Sequence, residues 1–139
     1  MSQLTGNMKR ITRRMRLFKN EKLQPYDLVM RQAEMLTAIR YCNSQDQLAD
    51  VLMINKSNVA RHLTVLEERG LVRRQPNPEN RRETQVFLTE EGAALIPSLL
   101  DINRQWHELV TAPLTKEEAE TLQALLQKIL QHLKGADGQ

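Results

Sequence analysis

The hydrophobic period changes at Gly70, and that change constrains the fold more than any other feature of the chain. On the N-terminal side, Val59, Leu63 and Leu66 fall on one face of a helix, since positions three and four apart share a side. On the C-terminal side, Leu71-Val72-Arg73-Arg74 reads as a strand. Thr84-Gln85-Val86-Phe87-Leu88 reads as a returning strand of alternating polarity, with Val86 and Leu88 facing the core. Between them, Gln75 to Asn80 holds two prolines and two asparagines, which break both helix and ladder and predict a turn. Gly70 itself stands where a helix favours a left-handed cap. The pattern predicts a helix followed by a two-stranded hairpin.

The flanking sequence is helical. Leu4, Met8, Ile11, Met15 and Phe18 form one stripe, surrounded by Lys9, Arg10, Arg13, Arg14, Arg16 and Lys19. This helix should end near Leu23, because Pro25 disfavours helical geometry at Gln24. Met30, Ala33, Met35, Leu36 and Ile39 mark a second helix stopping at Asn43-Ser44, which can cap a short third helix through Leu52. After the break Met53-Ile54-Asn55, Asn55 is a good cap for a helix from about Lys56 to Arg69. Thr89 can cap a long helix with Glu90 and Glu91 in its first turn, where negative charge suits the dipole. Its stripe is Leu95, Leu99, Ile102, Trp106 and Leu109; Pro97 should kink or restrict it, and Pro113 ends it. Thr115 and Glu118 form a capping box for a final helix carrying Leu122, Leu125, Leu126, Ile129, Leu130 and Leu133. That helix should end at Gly135, with the last few residues disordered.

The expected fold is therefore mainly α with a small β-hairpin wing. A short helix, a tight turn, a second helix ending in glycine and then a hairpin is the winged helix-turn-helix order, in which the second helix enters the DNA major groove. The face opposite Val59, Leu63 and Leu66 presents base-reading chemistry. Arg61 can fork onto guanine, Asn58 can pair with adenine, and Ser57 and Thr64 are adaptable. Lys56 suits a phosphate, and His62 the DNA backbone. A solvated amphipathic helix is the competing account; it calls for more Glu/Lys pairing on the outer face than is present. On the hairpin, Arg73 and Arg74 lie on the outgoing strand and Arg81 and Arg82 at the tip, a cationic loop suited to a narrow minor groove. Alternatively the tip is a solvated turn that Glu79 and Glu83 neutralise.

Charge distribution sharpens this. The net charge is only +3, but residues 1–88 hold 16 Lys/Arg against 9 Asp/Glu, and residues 89–139 hold 4 against 8. A basic two-thirds joined to an acidic last third suggests that one part faces a polyanion.

The run Gln47-Leu48-Ala49 through Lys56-Ser57-Asn58-Val59-Ala60-Arg61-His62-Leu63 resembles the multiple-antibiotic-resistance regulator (MarR) family. So do Leu66-Glu67-Glu68-Arg69-Gly70-Leu71-Val72-Arg73-Arg74, then Asn77-Pro78-Glu79-Asn80-Arg81-Arg82, and Leu88-Thr89-Glu90-Glu91-Gly92. The resemblance covers nearly the whole chain and is strongest from Gln47 to Gly92. It implies a homodimer in which the first and last two helices interlock, two winged domains on a pseudo-palindromic operator, repression of transcription, and release by a small-molecule effector. It places Arg81 and Arg82 at the wing-tip arginine region. Glu79 or Asn80 stands where the family usually has an Asp that positions a wing arginine, and Met53 where many members have Gly.

On this basis residues 1–139 form a single MarR-like domain, with dimerisation helices over about 1–24 and 93–135 and a DNA-binding region over about 30–92. The apolar stripes support the dimer independently, being more extensive than the small winged region can cover. Met8, Ile11, Met15, Leu99, Ile102, Trp106, Leu126, Ile129 and Leu133 are the expected dimerisation residues. A monomeric bundle is the alternative.

Other functions find little support. A lone Cys42 excludes an internal disulfide and is expected to be a buried, inert thiol. His62, His107 and His132 are too far apart for ligand spacing on one helix, so no metal and no cofactor is expected. No Gly-rich phosphate loop or paired nucleophile and base points to an enzyme. No apolar run approaches the ~18 residues of a membrane span, and the N-terminus lacks a signal-peptide core, so a cytoplasmic location is expected. Two functions remain: a sequence-specific DNA-binding transcriptional regulator, or a winged-helix module whose helix face binds a protein.

Overall fold

A computed structural model describes residues 2–137 and divides at Arg104 into two units. The first begins with α1 (Ser2–Leu23), followed by a 3-10 turn (Gln24–Tyr26), α2 (Met30–Ala38), α3 (Gln45–Leu52), α4 (Lys56–Glu68), β1 (Val72–Asn77), β2 (Asn80–Leu88) and the start of α5 (Glu90–Thr111). The second holds the end of α5 and α6 (Lys116–Asp137).

The core lies within residues 1–104. It gathers Leu23 and Leu28, Met35 and Leu36 of α2, Leu48 of α3, and Val59, Leu63 and Leu66 of α4. Val72 and Val86 join it from the hairpin, and Ile96, Leu99 and Ile102 from α5. Helix ends are satisfied by short-range chemistry. Ser44 Oγ accepts from Gln47 N at 3.1 Å, and Asn55 Oδ1 from Asn58 N at 2.8 Å. The first amide of α2 donates instead across the fold, from Met30 N to Asn20 Oδ1 of α1 at 2.7 Å. Arg69 spans a further gap, its guanidinium donating to the carbonyls of Tyr26 and Asp27 and tying the end of α4 to the α1–α2 connection.

Gly70 adopts the left-handed backbone (φ +74°) that the helix-to-strand change requires. Met53 does so too (φ 57°), at the tight turn between α3 and α4. A non-glycine residue there costs roughly 1–2 kcal/mol, and the Met53 side chain is 76% exposed, so little packing offsets it. Met53→Gly is therefore expected to raise stability by about 0.5–1 kcal/mol, after its larger unfolded-state entropy is subtracted. Thermal denaturation checks this; a lowered midpoint would mean the exposed side chain contributes packing.

Three boundaries differ from expectation. The second helix ends at Ala38, with residues 39–41 forming a turn before Ser44. The strands run beyond their sequence signals, pairing up to Pro76 with Thr84 and leaving only Pro78-Glu79 between them. Proline is tolerated because β1 is an edge strand, where the missing donor costs no ladder bond; the register slips beyond Pro76. Finally, α6 continues through Gly135 to Asp137. The disorder expected at the C-terminus falls partly on residues 138–139, which lie outside the described residues.

In the second unit, the capping box forms as expected: Glu118 N donates to Thr115 Oγ1 at 3.1 Å and Thr115 N to Glu118 Oε1 at 2.9 Å. No described residue of α6 is buried. Among the described residues, no helix is long and apolar enough to cross a membrane.

Candidate nucleic-acid interface

The buried face of α4 fixes what its other face presents. Val59, Leu63 and Leu66 are fully buried, so Ser57, Arg61, Thr64 and Glu68 stand exposed on the opposite side. The N-terminal part of this face is ordered by Asn55. Its Oδ1 accepts from both the Asn58 amide and the Ser57 hydroxyl, each at 2.8 Å. Arg61 Nη2 donates to Asn58 Oδ1 at 2.7 Å. Arg61 and Asn58 are thus one unit rather than two independent readers. The guanidinium is held toward the start of α4 with donors to spare, and Asn58 keeps its amide N–H groups and the second lone pair of Oδ1 for a base edge.

The remaining helix candidates are less free. Thr64 Oγ1 donates to the Ala60 carbonyl (2.9 Å) and accepts from Arg74 Nη2 (3.0 Å). His62 is half-buried; burial first, then the cations Arg61 and Arg31, hold its pKa below the ordinary value, so the imidazole is neutral at pH 7. Lys56 Nζ lies 3.4 Å from Asp46, but both side chains are largely exposed, and a phosphate can displace such a pair at little cost.

The wing arginines divide into two groups. Arg81 and Arg82 are exposed at the start of β2 and take part in no ion pair among the described residues. The tip is shaped by asparagines. Asn77 Oδ1 accepts from Glu79 N (3.0 Å), Asn77 Nδ2 donates to Glu83 Oε1 (2.9 Å), and Asn80 Oδ1 accepts from Arg82 N (3.2 Å). Glu83 therefore braces the turn, and Asn80 positions Arg82 through its backbone rather than its charge.

Arg73 and Arg74 do not reach the tip. Arg73 pairs across the ribbon with Phe87 and lies over its ring, 5.1 Å from the centroid. Arg74 pairs with buried Val86, and alternation turns it onto α4, where it forms an ion pair with Glu67 at 3.0 Å. The sequence marked both as cationic but could not show that one strand splits them between opposite faces. Glu67 and Gln45, which hold Arg74, escaped the sequence reading. The signal for Glu67 was its place on α4 just before the turn into β1.

The expected dimerisation residues also separate. Met8, Ile11, Leu126, Ile129 and Leu133 are exposed apolar side chains, and Met15 and Trp106 are half-buried. Leu99 and Ile102 instead lie in the core of the single chain, at 2% and 6% exposure, because this stretch of α5 supplies the core of residues 1–104. They are not surface that a second copy can cover. Cys42 is buried, and burial pushes its thiol pKa up, which suits an inert side chain.

Known proteins share this fold. Residues 29–84 match the family model described as the MarR family. The multiple antibiotic resistance protein MarR of Escherichia coli K12 is 35% identical over 114 residues, spanning 80% of this chain and 79% of that protein. The transcriptional regulator PecS of Dickeya dadantii is 34% identical over 113 residues, 78% of this chain and 68% of PecS. A crystal structure of a cysteine-to-serine variant of E. coli MarR complexed with operator DNA superposes with a TM-score of 0.83 at 32% identity, covering 91% of this chain and 93% of that one. With its winged helix-turn-helix and these relatives, the chain belongs to the MarR family of transcriptional regulators.

Proposed function

We propose that the protein is a homodimeric, sequence-specific DNA-binding regulator, a repressor that occupies a pseudo-palindromic operator and is released by a small ligand. It acts in the cytoplasm and carries out no catalysis of its own. The observation that carries the proposal is the pairing of two exposed, cationic features on one unit: the Asn55–Asn58–Arg61 face of α4 and the unpaired Arg81 and Arg82 of the wing tip. The first has the donors for base edges in a major groove, and the second the charge for a neighbouring minor groove. The exposed apolar residues of α1 and α6 support the dimer. Residues 1–24 and 93–135 are its scaffold and residues 30–92 its DNA-binding region, with Leu99 and Ile102 serving the core instead.

Selection of bound duplexes from a random pool tests the proposal. It should return two half-sites about one DNA turn, ~10 bp, apart, with affinity falling steeply as salt rises through counterion release. Weak binding that is insensitive to salt would sink it. Within the selected site, Arg61→Ala is expected to cost about 1–3 kcal/mol and to relax preference at one position in each half-site. An unchanged preference would mean that Arg61 does not read a base.

A further inference from the structure

One guanidinium joins the wing to both helices of the helix-turn-helix. Arg74 Nη2 donates to Glu67 Oε1 and Thr64 Oγ1 of α4, each at 3.0 Å. Its Nη1 donates to Gln45 Oε1 at the start of α3 (3.1 Å) and, more weakly, to the Ala60 carbonyl (3.5 Å). Glu67 grips the strand a second time, its Oε2 accepting the backbone N–H of Arg74 at 3.0 Å. That amide lies on β1, which has a partner on one side only, so a side chain of α4 supplies the acceptor that a further strand would otherwise provide. The Arg74 side chain is only 20% exposed. Its hydrogen bonds hold the Glu67 carboxyl below the usual carboxylate pKa.

We infer that Glu67 and Arg74 form a clamp that sets the angle between the wing and the recognition helix, and that Arg74 is a positioning residue rather than a phosphate contact. The inference rests on the DNA-binding function proposed above and deepens it. Geometry gives the clamp leverage. The turn at Pro78-Glu79 lies four to five residues beyond Arg74, about 15 Å at the rise of a β-strand. A pivot of about 10° at the clamp would move the tip by about 3 Å, the whole length of a hydrogen bond. Arg81 and Arg82 can meet their groove only if that pivot is fixed. Chemistry argues against Arg74 as a phosphate ligand. Turning it to DNA would break its bonds to four acceptors and leave the Glu67 carboxylate unpaired beside a polyanion. Lysine cannot replace it, because one ammonium lacks the planar fork that serves two helices at once.

The test uses the full-length protein with Glu67→Gln and Arg74→Ala. Glu67→Gln is the sharper variant, because simple electrostatics and the clamp predict opposite signs. Removing a negative charge near DNA should tighten binding if charge alone matters. Loosening the clamp should weaken it, by about tenfold or more for lost charged hydrogen bonds. Arg74→Ala should weaken binding similarly, with no change in the slope of log K against log salt, whereas a lost phosphate contact would lower that slope by about 0.9. In the free protein, amide exchange along β1 and β2 should quicken in both variants while α2 and α3 keep their protection. Tighter binding by Glu67→Gln, a reduced salt slope in Arg74→Ala, or unchanged wing exchange would each overturn the clamp. Absence of DNA binding by the wild type would instead overturn the proposed function, and the exchange data would still decide the clamp.

Discussion

Ile129→Glu is expected to convert the protein to a monomer and to remove operator binding with it. In the single chain, Leu122, Leu125, Leu126, Ile129, Leu130 and Leu133 of α6 are each at least 40% exposed, while no described residue of that helix is buried. Six large apolar side chains along one helix exceed the scattered exposure normal for a monomer and mark an interaction surface. Completing the burial of each would be worth about 1 kcal/mol, since full burial of Leu or Ile is worth about 1.5–3 kcal/mol. In a two-fold interface the substitution appears twice. Two carboxylates then lose hydration without partners, each costing several kcal/mol, so the dimerisation constant should weaken by at least about a thousandfold. A monomer holds one half-site alone and forfeits the ~10²–10⁴-fold gain of tethering two. Sedimentation at micromolar concentration reads the first effect and operator titration the second. A variant that stays dimeric would show that this stripe is not the seam.

Much of this fold was legible in the sequence, and the exceptions share a physical reason. Local chemistry could be read directly. Asn55 and Ser44 cap the helices they precede, Thr115 and Glu118 form their box, and Gly70 takes its left-handed backbone. Each depends on groups within a few residues, so spacing alone reveals it. What was not legible depends on which segments come together. A stripe such as Leu99 and Ile102 shows that side chains are buried, but not whether their own chain or a second copy buries them. Pro76 argues against a strand until it is known that β1 is an edge. The adjacent arginines 73 and 74 look equivalent in sequence, and only the pairing of Arg74 with buried Val86 turns one onto α4 and the other over Phe87. Alternation from Val72, an apolar residue two positions earlier, carried that information in faint form. The functional face was readable as a set of candidates, but the Arg61–Asn58 pairing and the Glu67–Arg74 clamp needed distances.

Among the described glycines, Gly92→Ala should produce the largest loss of stability. The first turn of α5 docks on the junction between α4 and β1. Thr89 N donates to the Leu71 carbonyl at 3.1 Å, and its hydroxyl donates to the Gly70 carbonyl at 2.6 Å while accepting from Gly92 N at 3.1 Å. Gly92 is buried in this contact, and a Cβ there would lie 2.1 Å from the Leu71 carbonyl oxygen and 3.3 Å from Leu88 Cδ2. The first obstacle is backbone, so no rotamer change relieves it. The helix would have to retreat by about 1 Å, stretching the Thr89–Leu71 bond beyond hydrogen-bonding range. Overpacking typically costs about 1–3 kcal/mol, and a lost backbone bond adds about 1 kcal/mol. Together these should lower the thermal midpoint by about 10 °C. Gly135→Ala is the matched control, because a Cβ at that position of α6 meets nothing within 4 Å. There the same methyl should be neutral or slightly stabilising, through helix propensity alone. Calorimetry on the two variants separates the steric argument from a general response of the fold. If Gly92→Ala melts within about 2 °C of the wild type, α5 can shift on its seat without cost. The close approach of its first turn to Leu71 would then not be what anchors this helix to the winged region.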